Sequence, residues 1–125
     1  MIVPINCGHS TFDAIIDSGA DHSLIHLSLV EEMNFPIHSV ATSCIKGFGA
    51  NDVSCILGGC ELPITLHGCV IGTANFYVVD LNTIIHYPII LGADFLRQNG
   101  QCVDMNRGRI AQHFVDGSSI AILCG

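Results

Sequence analysis

Apolar and polar positions alternate in short runs along the chain, and glycine, asparagine or aspartate interrupts nearly every run. Runs of about four to eight aliphatic residues bounded by turn residues predict strands. Residues 1–7 read as a strand that Pro4 confines to an edge or a terminus. Residues 11–16 and 23–26 read as strands on either side of Asp17-Ser18-Gly19-Ala20. Leu27 to Met33 has helical composition, with Ser28 as expected N-cap, Glu31 at the capping-box position, and Asn34 and Pro36 as the stop.

Residues 37–45 and 53–57 predict a hairpin around the glycine-bearing turn Lys46 to Asp52. Gly58-Gly59, His67-Gly68 and Gly72-Thr73 read as turns separating strands at 61–66, 69–71 and 74–79. Ile89-Ile90-Leu91-Gly92 is a dense apolar run before a helix over 93–100, stopped by Gly100. Strands at 101–105, 109–115 and 118–123 complete the chain, with Asp116-Gly117 as a hairpin turn. Many short strands with two short helices predict one all-β domain, closed or sandwich-like, over residues 1–125.

Composition sharpens this picture. Half of the 125 residues are hydrophobic and only 12% are charged, so the core is large or some apolar surface is covered by another chain. Trp is absent, which leaves an aliphatic core. The net charge is −7, and Lys46, Arg97, Arg107 and Arg109 are the only Lys or Arg. Neither nucleic acid nor an anionic membrane is an expected partner, because phosphate recognition needs clustered cations. The seven cysteines are irregularly spaced and form no C-x-x-C pair, which predicts reduced thiols in an intracellular, cytoplasmic setting. Pro4 and Asn6 break the N-terminal apolar run, so no signal peptide is expected. No metal site is expected from Cys7-x-His9 or from Cys55 and Cys60, which lack a second matching pair. Nucleotide binding has no support, since Gly58-Gly59 lacks the Lys-Ser/Thr of a phosphate loop.

The candidate chemistry sits at Asp17. A carboxylate at the end of a buried strand loses hydration. Ser18 offers a hydroxyl, and Gly19 lets the backbone turn its N–H groups toward the carboxylate. Such an acid is suited to proton transfer. Taken alone, Asp-Ser-Gly is far more often an ordinary Asx-turn, and it is the apolar runs on both sides that mark this one out.

Ile15-Ile16-Asp17-Ser18-Gly19-Ala20, the hairpin around Gly47-Phe48-Gly49, and Ile89-Ile90-Leu91-Gly92 before a short helix together resemble a retropepsin-type aspartic protease. The likeness runs over nearly the whole chain, in the family's order. Ile90-Leu91-Gly92-Ala93-Asp94-Phe95-Leu96 followed by Val103-Asp104 is most similar to the protease of gypsy-type LTR retrotransposons. The retroviral-like domain of ubiquitin-shuttle proteins is also similar.

The resemblance implies a retropepsin-like closed β domain, active as a homodimer. Asp17 would be catalytic, Ser18 would bond across the twofold axis, and Gly19 would complete the catalytic tripeptide. Substrate would meet Ala20, Asp21, His22, the flap residues Lys46, Gly47, Phe48 and Gly49, and Ile90, whose run Ile90-Leu91-Gly92 also packs under the catalytic loop. No cofactor is implied. The expected substrate is an extended peptide or the element's own polyprotein, cut in the cytoplasm or within an element-encoded particle.

Two carboxylates sharing one proton are needed for this hydrolysis, and the chain has one Asp-Ser-Gly. Asp94, Asp104 and Asp116 lack its setting, so a second copy must supply the partner, and activity should favour acid pH. Family members usually carry arginine where Ala93 stands, which leaves Asp21 without that partner and makes Arg97 the candidate substitute. The contrasting reading is a domesticated, inactive dimerisation or peptide-binding module on the same fold.

Overall fold

The computed structural model describes residues 2–7, 10–41, 44–46, 53–66, 69–80, 88–104, 109–113 and 119–124. Its strands are β1 (Ile2–Cys7), β2 (Ser10–Ile16), β3 (Ser23–His26), β4 (Cys44–Lys46), β5 (Val53–Leu66), β6 (Cys69–Val79), β7 (Ile89–Leu91), β8 (Gln101–Asp104), β9 (Arg109–His113) and β10 (Ser119–Cys124). Helix α1 (Leu27–Met33) follows β3 and α2 (Ala93–Gln98) follows β7.

The main sheet runs β1-β2-β7-β3-β6-β5-β4, and β1 also pairs with β5. That extra pairing closes β1, β2, β7, β3, β6 and β5 into a barrel, with β4 as a flange on β5. Closure removes the open edges that a flat sheet would expose. A separate three-stranded sheet has the order β10-β9-β8. The all-β, closed architecture expected from the strand pattern is therefore present.

Period-2 alternation sorts the strands into two apolar layers. The inner layer runs Ala14, Ile89, Ile25 and Val78 across β2, β7, β3 and β6, each paired with the next in register. Val3, Ile5, Leu62, Ile64 and Phe76 extend it around the barrel, and Leu29, Val30, Phe95 and Leu96 cap it from the helices. The alternate positions form the second layer. Ile15, Ile90, Leu24 and Tyr77 make a transverse row on the opposite face. Val79, Ile56 and Ala20 join that row. Strand β7 is buried on both faces because it lies between the two layers.

Several local expectations need correction. Gly58-Gly59 is not a turn: it lies inside β5, a single 14-residue strand. His38 forms an isolated bridge to Gly59, with both backbone hydrogen bonds at 2.8–2.9 Å. A Cβ on Gly59 would sit 2.5 Å from the His38 ring, so these glycines admit a crossing chain. Gly72 likewise lies inside β6, where the Asn99 amide occupies the space of a side chain. Residues 39–41 are not strand, which breaks the strand expected over 37–45; among the described residues of that stretch the extended pairings are the His38 bridge and β4.

Helix α1 has the expected span but a different cap. His26, not Ser28, is the N-cap, and its Nδ1 accepts the Ser28 N–H at 3.1 Å. That role puts the ring proton on Nε2, which lies 3.6 Å from Asp80 Oδ1. Asn34 stops the helix in the left-handed conformation, at φ 56°.

Candidate active site

Asp17 follows directly on β2, where β2 and β7 run parallel. Its N–H donates to Leu91 O at 2.9 Å, so the end of β7 fixes where the loop begins. The loop then folds on itself. Asp17 Oδ1 accepts the Gly19 N–H at 2.9 Å, and Asp17 O accepts the Ala20 N–H at 3.1 Å. The first of these is the Asx-turn that the tripeptide allows, and here it also orients the carboxylate. A Cβ on Gly19 would stand 3.2 Å from Asp17 Oδ1, tight enough to push that oxygen aside. Asp17, Ser18 and Gly19 are exposed, and Ala20 is half-buried.

A cradle beneath holds this loop. Ala93 N–H donates to Ala20 O at 2.7 Å. A Cβ on Gly92 would fall 2.6 Å from Ala20 O and 2.7 Å from His22 O, so only glycine lets the two segments touch. Ser23, 1% exposed, bridges them: its Oγ accepts the Gly92 N–H at 3.0 Å and donates to Asp94 Oδ1 at 2.7 Å. The Asp94 carboxylate also accepts the Ser23 N–H at 3.1 Å and the Phe95 N–H at 2.8 Å. A carboxylate accepting three donors is a strong fastening point.

Neither Ser23 nor Asp94 is among the site residues expected from sequence, where Asp94 figures only within the Ile90-to-Leu96 motif and as an acid without the setting of Asp17. Asp94 lacks the setting of Asp17, as expected, but it secures the loop that carries Asp17. The legible signals were an acid in the first turn of α2 and a hydroxyl opening β3. The link between them spans 71 residues.

The remaining expected site residues fall in different places. Asp21 and His22 are exposed, and the His22 ring lies 5.2 Å from that of Tyr77, inclined at 59°. Arg97 makes no ion pair with Asp21. Ile90 is 3% exposed within the second apolar layer, so in the single chain it underlies the loop and presents no surface to a ligand. Lys46 ends β4, while Gly47, Phe48 and Gly49 lie outside the described residues. Among the described residues no group of three metal-ligating side chains gathers, and no helix is long and apolar enough to cross a membrane.

A closed barrel that presents Asp-Ser-Gly over a glycine-supported cradle defines a domain of the aspartic protease class. Residues 4–117 match the family model described as retroviral aspartyl protease, and the chain belongs to that family. Among solved structures, the retroviral protease-like domain of Ddi1 from Leishmania major superposes with a TM-score of 0.64. The match covers 98% of this chain and 93% of that one at 19% identity, a likeness of fold. No curated protein matches the sequence.

Proposed function

We propose that the protein is an aspartic endopeptidase whose site is completed by a second copy of the chain. Two Asp17 carboxylates meet on a twofold axis and share one proton. The ionised one takes a proton from water, which attacks the scissile carbonyl carbon, while the protonated one donates to the carbonyl oxygen. The tetrahedral intermediate collapses with proton transfer to the leaving amine. Gly19 N–H holds each carboxylate in orientation before substrate arrives. Ser18 bonds across the axis and braces the pair.

The observation that carries this reading is an exposed Asp17 whose carboxylate is already pinned by Gly19 and whose loop is fastened from below. The single chain leaves Asp17 exposed, so the loss of hydration expected at the strand end would come only when a second copy covers it. The single Asp-Ser-Gly and the high apolar fraction support a homodimer. So does β10, which pairs with β9 and has no partner on its other edge among the described residues.

The substrate is an extended peptide lying along the loop, met by Ala20, Asp21 and His22 and by the hairpin that β4 opens. The likeness to retrotransposon proteases makes processing of the element's own polyprotein, inside the cell, the natural task.

Asp17→Asn is the decisive variant, since it keeps the side-chain volume and the Gly19 contact. A peptide mixture incubated at about pH 4 to 7, the range in which such dyads titrate, and read by mass spectrometry should show cuts with the wild-type chain and none with the variant. Equal cutting by both would remove Asp17 from the mechanism. Saturable peptide binding with no cut from the wild type would identify a binding module instead.

A further inference from the structure

The β4–β5 ribbon places two exposed, free cysteines directly opposite each other: Cys44 pairs with Cys55 in the antiparallel register. We infer that Cys44 and Cys55 form a reversible redox clasp, a disulfide across the base of the hairpin made by exchange with a low-molecular-weight disulfide such as glutathione disulfide.

Register carries the geometry. Directly opposed residues of an antiparallel pair have Cα atoms about 4.5–5.5 Å apart and side chains on the same face of the ribbon. A disulfide accepts Cα separations of about 4.4–6.8 Å. The Cβ atoms, about 4.5–5.5 Å apart in such pairs, need to close only slightly. Strand β4 is three residues long and pairs only with β5 among the described residues, so it can make that adjustment. Exposure admits the oxidant to both thiols.

The rest of the described cysteine chemistry favours this pair. Cys60 lies on the same strand as Cys55 but is buried, and burial raises its thiol above the ordinary value. It stays protonated and sheltered, and is a poor competitor.

The exchange balances. The Cys44 thiolate attacks one sulfur of glutathione disulfide, giving a mixed disulfide and one glutathione thiolate. The Cys55 thiolate then attacks Cys44 Sγ, forming the Cys44–Cys55 bond and expelling the second glutathione thiolate. Two protons leave the protein thiols, two are taken up by the glutathione thiolates, and two electrons pass from protein to glutathione. An exposed, slightly closed cross-strand bridge belongs to the easily reduced kind, so excess reduced glutathione should reopen it.

The clasp also reaches the site. Ile56, next to Cys55, packs in the apolar layer with Ile90, Ile15 and Ala20, directly under the Asp17 loop. Fixing β4 to β5 therefore stiffens one wall of that layer. On the protease reading proposed above, oxidation slows peptide cleavage.

The test uses the intact chain. Trypsin cuts after Lys46, between the two cysteines. After treatment with glutathione disulfide and alkylation of free thiols, fragment masses should show the Cys44 and Cys55 peptides joined, and dithiothreitol should separate them. Cys44→Ser should abolish the link and leave Cys55 as a glutathione adduct, and Cys55→Ser should do the converse. Full alkylation of both cysteines at saturating oxidant, or a link that survives in either variant, would overturn the clasp. In a parallel cleavage assay, oxidation should produce a several-fold loss of kcat that dithiothreitol restores and that Cys44→Ser lacks. Equal rates for oxidised and reduced chains would overturn the coupling to the site. The link is read by mass, so a chain that cleaves nothing counts against the protease reading alone.

Discussion

Two regions of the molecule are held in opposite ways. The Asp17 loop rests on a cradle of backbone and carboxylate hydrogen bonds, with buried Ser23 at its centre and Gly92 pressed against two carbonyls. The β4–β5 ribbon rests on a three-residue strand with both cysteines of its matched pair exposed. The first region fixes an acid in one orientation. The second is held by one short strand and, with the clasp inferred above, would be tightened by oxidation. On the function proposed above, chemistry falls to the over-determined region and adjustment to the lightly held one.

The fastened region is most sensitive at Gly92. Gly92→Ala drives a methyl group into Ala20 O and His22 O, and both obstacles are backbone. Overpacking of this kind costs about 1–3 kcal/mol, and the displaced loop should lose most of its cleavage. Urea unfolding and peptide turnover measure the two effects. A variant of unchanged stability and activity would mean that the loop is not seated on Gly92.

Ser23→Ala comes next. It removes the acceptor of Gly92 N–H and one donor to Asp94, and an unsatisfied buried group costs about 1–3 kcal/mol. Asp94→Asn keeps an oxygen for the Ser23 hydroxyl and the Phe95 N–H but sets an amide NH2 against the buried Ser23 N–H, so it should cost a comparable amount in the same unfolding assay. No loss of stability in Asp94→Asn would show that the carboxylate is not what fastens the loop.

A smaller effect is expected from Cys60. Its thiol is raised by burial, so the folded state favours the neutral form. The unfolded chain then releases its proton first, and stability falls as pH rises past the ordinary thiol value of 9.0. Cys60→Ala should flatten that alkaline decline in a pH series of melting curves, whatever it does to stability at neutral pH. Smallest of all is Cys44→Ser under reducing conditions, within about 0.5 kcal/mol of wild type because the site is exposed.

The sequence was most readable where one residue type had one plausible use. The apolar runs into Asp17 and into Gly92 gave β2 and β7, and Asn34 stopped α1 where its left-handed conformation requires. It misled where glycine has two uses. Gly58-Gly59 and Gly72 look like turns, yet in the barrel they make room for His38 and Asn99 within long strands. Both uses demand the absence of a Cβ, and only the tertiary neighbour distinguishes them. His26 took the capping role expected of Ser28 because its ring nitrogen reaches the same N–H. The cradle itself was hidden, since the Ser23–Asp94 pair exists only once β3 and α2 are brought together.

Subunit mixing shows whether Asp17 is half of a site. Wild-type chain and Asp17→Asn are unfolded together, refolded at fixed total concentration, and assayed for peptide cleavage. If each site needs two intact carboxylates, activity follows the square of the wild-type fraction, and an equal mixture retains about a quarter of full activity by random pairing of copies. A linear fall to one half would mean that each chain cleaves on its own and that Asp17 needs no partner from a second copy.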